Sequence, residues 1–237
     1  MWFHIQFNDR NFLELFLLLV QWMSANTKSQ TNLEEWFNTV SHGITAAVAV
    51  GGLVVLIVFG VQSNKDWSLF SALVYGSSLV LLYTFSALYH GLRNKKAKHL
   101  FNILDHCGIY LLIAGTYTPV ILISIGGLTG WVFFGIQWGM ALCGILLKIF
   151  YTGKYNLIST LIYAFMGWII AFKIELVKAV LEPTAYCLLL SGGISYSVGI
   201  VFYLLDYRMK LAHFIWHLFV MTGSILHFIM IARYIIS

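Results

Sequence analysis

The chain has 237 residues, 60% of them hydrophobic and only 10% charged, with a mean hydropathy of +0.84. That composition lacks the polar surface a soluble globule of this size needs, and it places the chain among integral membrane proteins. The formal net charge of +5 is read as membrane topology and contact with anionic lipid, and no nucleic-acid partner is expected.

In chain order, residues 1–30 read as an N-terminal extension and 31–237 as one membrane domain. Within the extension, 12–22 is apolar but about half the length that spans a bilayer, and its flanks lack the cations and cleavage site of a signal peptide. It is read either as an interfacial segment or as sequence upstream of a natural start at Met23. Residues 31–40 predict an amphipathic lead-in helix, with Glu34 and Glu35 near its start and Trp36 as an interfacial anchor.

Seven apolar stretches of roughly bilayer-spanning length follow: 43–61, 69–89, 105–125, 131–150, 157–177, 184–205 and 212–235. The connections between them are short and polar, for example SNKDWS, RNKKAKH, YTGKYN and DYRMK. The expected fold is therefore all-α: one integral membrane bundle of seven transmembrane helices, with sequential neighbours antiparallel and packed through small residues. Arg93, Lys95, Lys96, Lys98, Lys148, Lys154, Arg208 and Lys210 all fall toward one side. The enrichment of cations in cytoplasmic loops then predicts a cytoplasmic N-terminus and an outside C-terminus for a multi-pass protein of the cell membrane. Cys107, Cys143 and Cys187 lie inside spans without paired spacing and read as buried free thiols. In the third span, Pro119 predicts a kink, with Thr116 and Thr118 available to the freed carbonyls.

Ionisable groups inside spans are costly, so each needs a partner or a task. Ser86 and His90 lie four apart at the end of the second span, Asp105 at the entry to the third, and His213 and His217 four apart at the start of the seventh. The topology brings all five to one depth. Three imidazoles on rigid helices suit a divalent transition metal, with zinc as the expected cofactor at about 2.0–2.1 Å from each nitrogen. His90, His213 and His217 would be the ligands, and a fourth, open corner would carry a water that ionises near pH ~7 and attacks a carbonyl. Asp105 would orient that water or take its proton, and Ser86 would hydrogen-bond the water, the aspartate or a developing oxyanion. Plainer roles stand beside these: Ser86 bonding a carbonyl one turn back, Asp105 capping the third helix, and histidines bonding between helices. His227 lies ~15 Å deeper and reads as an interhelical hydrogen bonder. His106, about 100° around the helix from Asp105, and His99, in the basic loop, stay outside the ligand set. His42, at the same depth, is a reserve candidate for a supporting role.

FSALYH at 85–90, NILDHCGIYLLIAGTYTP at 102–119, HFIWHLFVMTGSILHF at 213–228 and SHG at 41–43 together resemble the hemolysin III proteins, the bacterial branch of the progestin and adiponectin Q receptor family. The resemblance runs from about Asn32 onward. It implies a seven-helix bundle with a cytoplasmic N-terminus. It also implies a zinc held by His90, His213 and His217, with Asp105 supporting the zinc-bound water and Ser86 as the motif serine. The wider superfamily includes alkaline ceramidases, so the resemblance suggests hydrolysis of an amide- or ester-linked membrane lipid. Two other readings belong to different classes: a haemolytic pore with a structural zinc, which the clustering of polar residues at one end disfavours, and a non-catalytic membrane sensor stabilised by metal and lipid.

Overall fold

The computed structural model describes residues 30–237. The alternative readings of 12–22 as an interfacial segment or as sequence upstream of a start at Met23 fall outside the described residues. Seven helices are long and apolar enough to cross a membrane: α1 Asn32–Gln62, α2 Ser68–Gly91, α3 Lys95–Ile125, α4 Gly127–Tyr151, α5 Asn156–Val180, α6 Pro183–Leu205 and α7 Ala212–Ile236. No strand occurs among the described residues. The all-α, seven-span expectation therefore holds.

Two boundaries differ from the sequence reading. The lead-in at 31–40 is not a separate helix but the first turns of α1, which runs unbroken for 31 residues. Thr31 caps it in a reciprocal box: the Glu34 amide donates to Thr31 Oγ1 at 3.3 Å, and the Thr31 amide donates to Glu34 Oε2 at 2.8 Å. Likewise, α3 begins at Lys95, where the Asn94 side chain accepts from the amides of Lys96 and Ala97. The basic stretch thus forms the opening turns of α3, and Asp105 lies ten residues inside that helix rather than at its N-cap.

The axis of the bundle is α3. Of its apolar stretch 67% is buried, against 17% for α1 and for α6. The outer helices turn Val48, Leu142, Phe150 and Ile225 outward, as lipid allows. Cys143 and Cys187 are also exposed, so only Cys107 fits the expectation of buried thiols. A thioether-sized apolar thiol is as well placed against lipid as against protein, so burial does not follow from lying within a span.

Pro119 is followed by a π-helical turn, Val120–Ile125, which is how a helix absorbs a missing backbone donor. The hydroxyls of Thr116 and Thr118 donate to the carbonyls of Leu112 (2.7 Å) and Ala114 (2.9 Å). Neither reaches Gly115, the residue four before the proline, so the expected compensation is not made there. A 3₁₀ segment, Ile169–Lys173, interrupts α5. Just before it, Gln137 Nε2 donates to the Met166 carbonyl (2.9 Å) and Tyr117 OH to the Gly167 carbonyl (2.6 Å). Side chains of α4 and α3 thereby supply donors where the regular ladder ends.

Side-chain contacts also sort the ends of the bundle. Lys65, between α1 and α2, donates to the Ile235 carbonyl at 2.9 Å. At the other end, Glu35 on α1 meets Lys98 on α3 at 2.6 Å, and Glu34 Oε1 accepts from the Leu211 amide at 2.9 Å. The start of α1 and the 92–94 and 206–211 connections therefore share one face.

Candidate metal centre

At that face the last turn of α2 and the first turns of α7 converge. One nitrogen from each of His90, His213 and His217 can be chosen so that the three lie within 4.8 Å of one another. His90 and His217 are buried at 4% and 1% exposure, and His213 is half-buried. A tetrahedral zinc with ~2.05 Å bonds holds its nitrogens about 3.4 Å apart, so the rings need only a small inward adjustment to bind one.

The orientation of the rings supports that fit. His90 Nδ1 lies 2.6 Å from Glu35 Oε2, and Glu35 Oε1 accepts from Lys98 Nζ, also at 2.6 Å. His213 Nδ1 lies 3.3 Å from Asp206 Oδ2. A carboxylate on Nδ1 makes that nitrogen the donor and leaves Nε2 with a free lone pair. The Nε2 atoms of His90 and His213 are in fact buried without a hydrogen-bond partner, as are both nitrogens of His217. Buried imidazole nitrogens are rarely left so, and a cation between them would satisfy three at once.

His42, the reserve candidate, sits closer than its sequence position implied. Its ring stacks on His217 with centroids 3.6 Å apart and planes 12° apart, and it meets Tyr83 edge-on at 5.0 Å. Ser86 and Asp105 are buried at 1% and 5%, and the Ser86 hydroxyl approaches the Asp105 carboxyl. Asp105 is not among the three convergent metal-ligating groups. His227 bonds the Leu189 carbonyl at 3.0 Å, the interhelical role expected of it. His106 turns Nδ1 to the Asn102 carbonyl of its own helix at 2.9 Å.

Ser86, Asp105 and His42 also line one end of a cavity of about 160 Å³. Its walls follow α3 from Asp105 to Val120 and include Leu112, Ile113, Ile170 and His227. Fifteen residues of helix correspond to ~22 Å, so the cavity is long, narrow and largely apolar.

Sequence reading missed Glu35 and Asp206 as partners of His90 and His213, and Lys98 as the partner of Glu35. It also missed Lys148, which was counted among the loop cations but is fully buried on the cavity wall. It further placed the polar residues at one end only. A second group lies deeper, where Tyr83 and Tyr196 both bond the Ser224 hydroxyl at 2.7 and 2.8 Å. Hydroxyls carry no sequence signal of burial, because Ser and Tyr are tolerated on either face of a membrane helix.

Seven helices long and apolar enough to cross a membrane, with three convergent histidines that each keep an unpaired ring nitrogen, define a polytopic membrane protein whose histidine cluster could hold a metal ion. The chain belongs to the haemolysin-III related family, whose family model matches residues 30–228. It is 42% identical over 203 residues to Hemolysin-3 of Bacillus cereus, covering 86% of this chain and 92% of that protein. To the Hemolysin-3 homolog of Bacillus subtilis (strain 168) it is 39% identical over 204 residues, covering 86% and 95%. The human monocyte to macrophage differentiation factor is 31% identical over 212 residues, 86% of each chain. No solved structure matches the chain.

Proposed function

We propose that the protein is a zinc-dependent hydrolase of an amide- or ester-linked lipid, with its site at the cytoplasmic face of the cell membrane. The observation that carries this reading is the junction of an apolar cavity with a polar end: the walls along α3 suit an acyl chain, and the chain's head would reach Ser86 and Asp105. His90, His213 and His217 would hold the zinc, which when bound supplies Lewis-acid polarisation and acidifies water. Glu35 and Asp206 orient the imidazoles of His90 and His213. Asp105 takes a proton from the attacking water and returns it to the leaving group. Ser86 donates its single hydroxyl proton to the Asp105 carboxylate and so holds it in place. The apolar walls exclude bulk water from the reacting end.

The test is release of fatty acid from amide-linked lipids by protein reconstituted in liposomes, with Asp105→Asn beside the wild type. A general base contributes roughly 10²–10⁴-fold, so the variant should lose at least about a hundredfold in turnover while keeping its zinc. Equal turnover in the variant overturns this mechanism. The name Hemolysin-3 of the relatives raises a pore as the second reading, and the deeper Tyr83, Ser224 and Tyr196 group supplies polar atoms at a second depth. Those atoms bond one another, which argues against their lining a water-filled path. Ion flux through the same liposomes with and without zinc separates the two readings.

A further inference from the structure

Lys148 has no part in the chemistry above. It lies in the last turn of α4, where the helix dipole favours a cation and where a lysine could snorkel to the polar 152–155 connection. Instead its side chain is 0% exposed, while Phe150 and Tyr151 beside it are 73% and 50% exposed. The helix thus presents its cation inward and its aromatics outward. Nζ meets Asn156 Oδ1 on α5 at 3.2 Å, and among the described residues it has no ion-pair partner. One long bond to a neutral amide leaves two of three ammonium donors to be satisfied. A buried cation in a membrane bundle needs an anion or a task.

Both Lys148 and Asn156 line the cavity, at the end that also holds Asp105 and His106. We propose that Lys148 and Asn156 form a subsite for the anionic head group of a single-chain lipid whose tail lies along α3. The ammonium would pair with a carboxylate or phosphate oxygen, and the Asn156 amide nitrogen would donate to a second oxygen. The ligand is then an anionic amphiphile, such as a free fatty acid or a lysophospholipid with a terminal phosphate. A neutral lipid of the same length leaves the ammonium without a counter-charge.

This subsite rests on the cavity holding an acyl chain, as the hydrolase reading does, but it is read by binding alone. The purified full chain in nanodiscs is titrated with radiolabelled palmitate, hexadecanol and palmitoyl lysophosphatidic acid, and zinc content is measured on the same samples. The wild type should bind palmitate or the lysophosphatidic acid at least about tenfold more tightly than hexadecanol, as expected for one charge-assisted contact. The tighter of the two anions tells carboxylate from phosphate. Lys148→Met should bind hexadecanol as before, with unchanged zinc, and lose the preference for the acid; Lys148→Arg should keep it. Retained hexadecanol binding shows that the variant is folded, and unchanged zinc shows that the preference does not come from a metal. Equal binding of acid and alcohol by the wild type, binding of neither, or an undiminished preference in Lys148→Met overturns the subsite. A chain that prefers the acid yet hydrolyses nothing fails only the hydrolase reading, whereas turnover without that preference fails only this one.

Discussion

His90 and His213 each keep one nitrogen on a carboxylate and the other free, an asymmetry that suits them to holding a metal ion. Removing the carboxylate charge should loosen the tautomer and lower ligand basicity. Glu35→Gln is expected to weaken zinc binding about 10–100-fold, measured by competition with a chromogenic chelator; an unchanged affinity would show that Glu35 serves only its pair with Lys98. Asp206→Asn should act in the same direction but less, since its contact to His213 is 0.7 Å longer, at 3.3 Å against 2.6 Å. The histidines were legible because His213 and His217 share a helix face at a four-residue spacing. Glu35 was not, because nothing local links it to a histidine 55 residues further on. Contact between them exists only once α1 lies against α2.

The helices depend on close approaches that sequence shows only as scattered glycines. At Gly144 on α4, an added methyl group would meet the ring of Tyr110 on α3, and that ring is itself fully buried. Gly144→Ala should therefore cost about 1–3 kcal/mol through overpacking. Gly139→Ala, on the same helix but with nothing within 4 Å, should cost nothing measurable. Thermal midpoints of the two purified variants check the pair, and equal midpoints would mean that α3 and α4 do not pack as described. Helix ends were the least legible part of the elements. The Thr31 box and the Asn94 cap both extend helices beyond the bilayer core, into regions where apolar run length carries no information.

For the molecule as a whole, the face that gathers the histidine cluster also gathers the basic connections, and from the enrichment of cytoplasmic loops in Lys and Arg we propose that this face lies inside the cell. In a background without native cysteines, Asp66→Cys should react with a membrane-impermeant maleimide added to intact cells, and Lys154→Cys should react only after lysis. The reverse pattern would invert the topology and turn the histidine cluster outward. The histidine cluster joins the end of α2 to the start of α7, which are far apart in sequence, so a metal bound there would brace the bundle.

By itself the sequence determined the class of protein, the seven spans and the histidines that converge. These follow from the lengths of apolar runs and from four-residue spacing, and both are local properties of the chain. Only the tertiary structure decided which faces of those helices turn inward. A span that is apolar all round carries little periodicity, because lipid is as apolar as the protein interior. Its rotation is set by side-chain packing against its neighbours. That rotation brings Glu35 to His90 and His42 to His217, and it turns Lys148 into the cavity rather than toward the polar connection beside it.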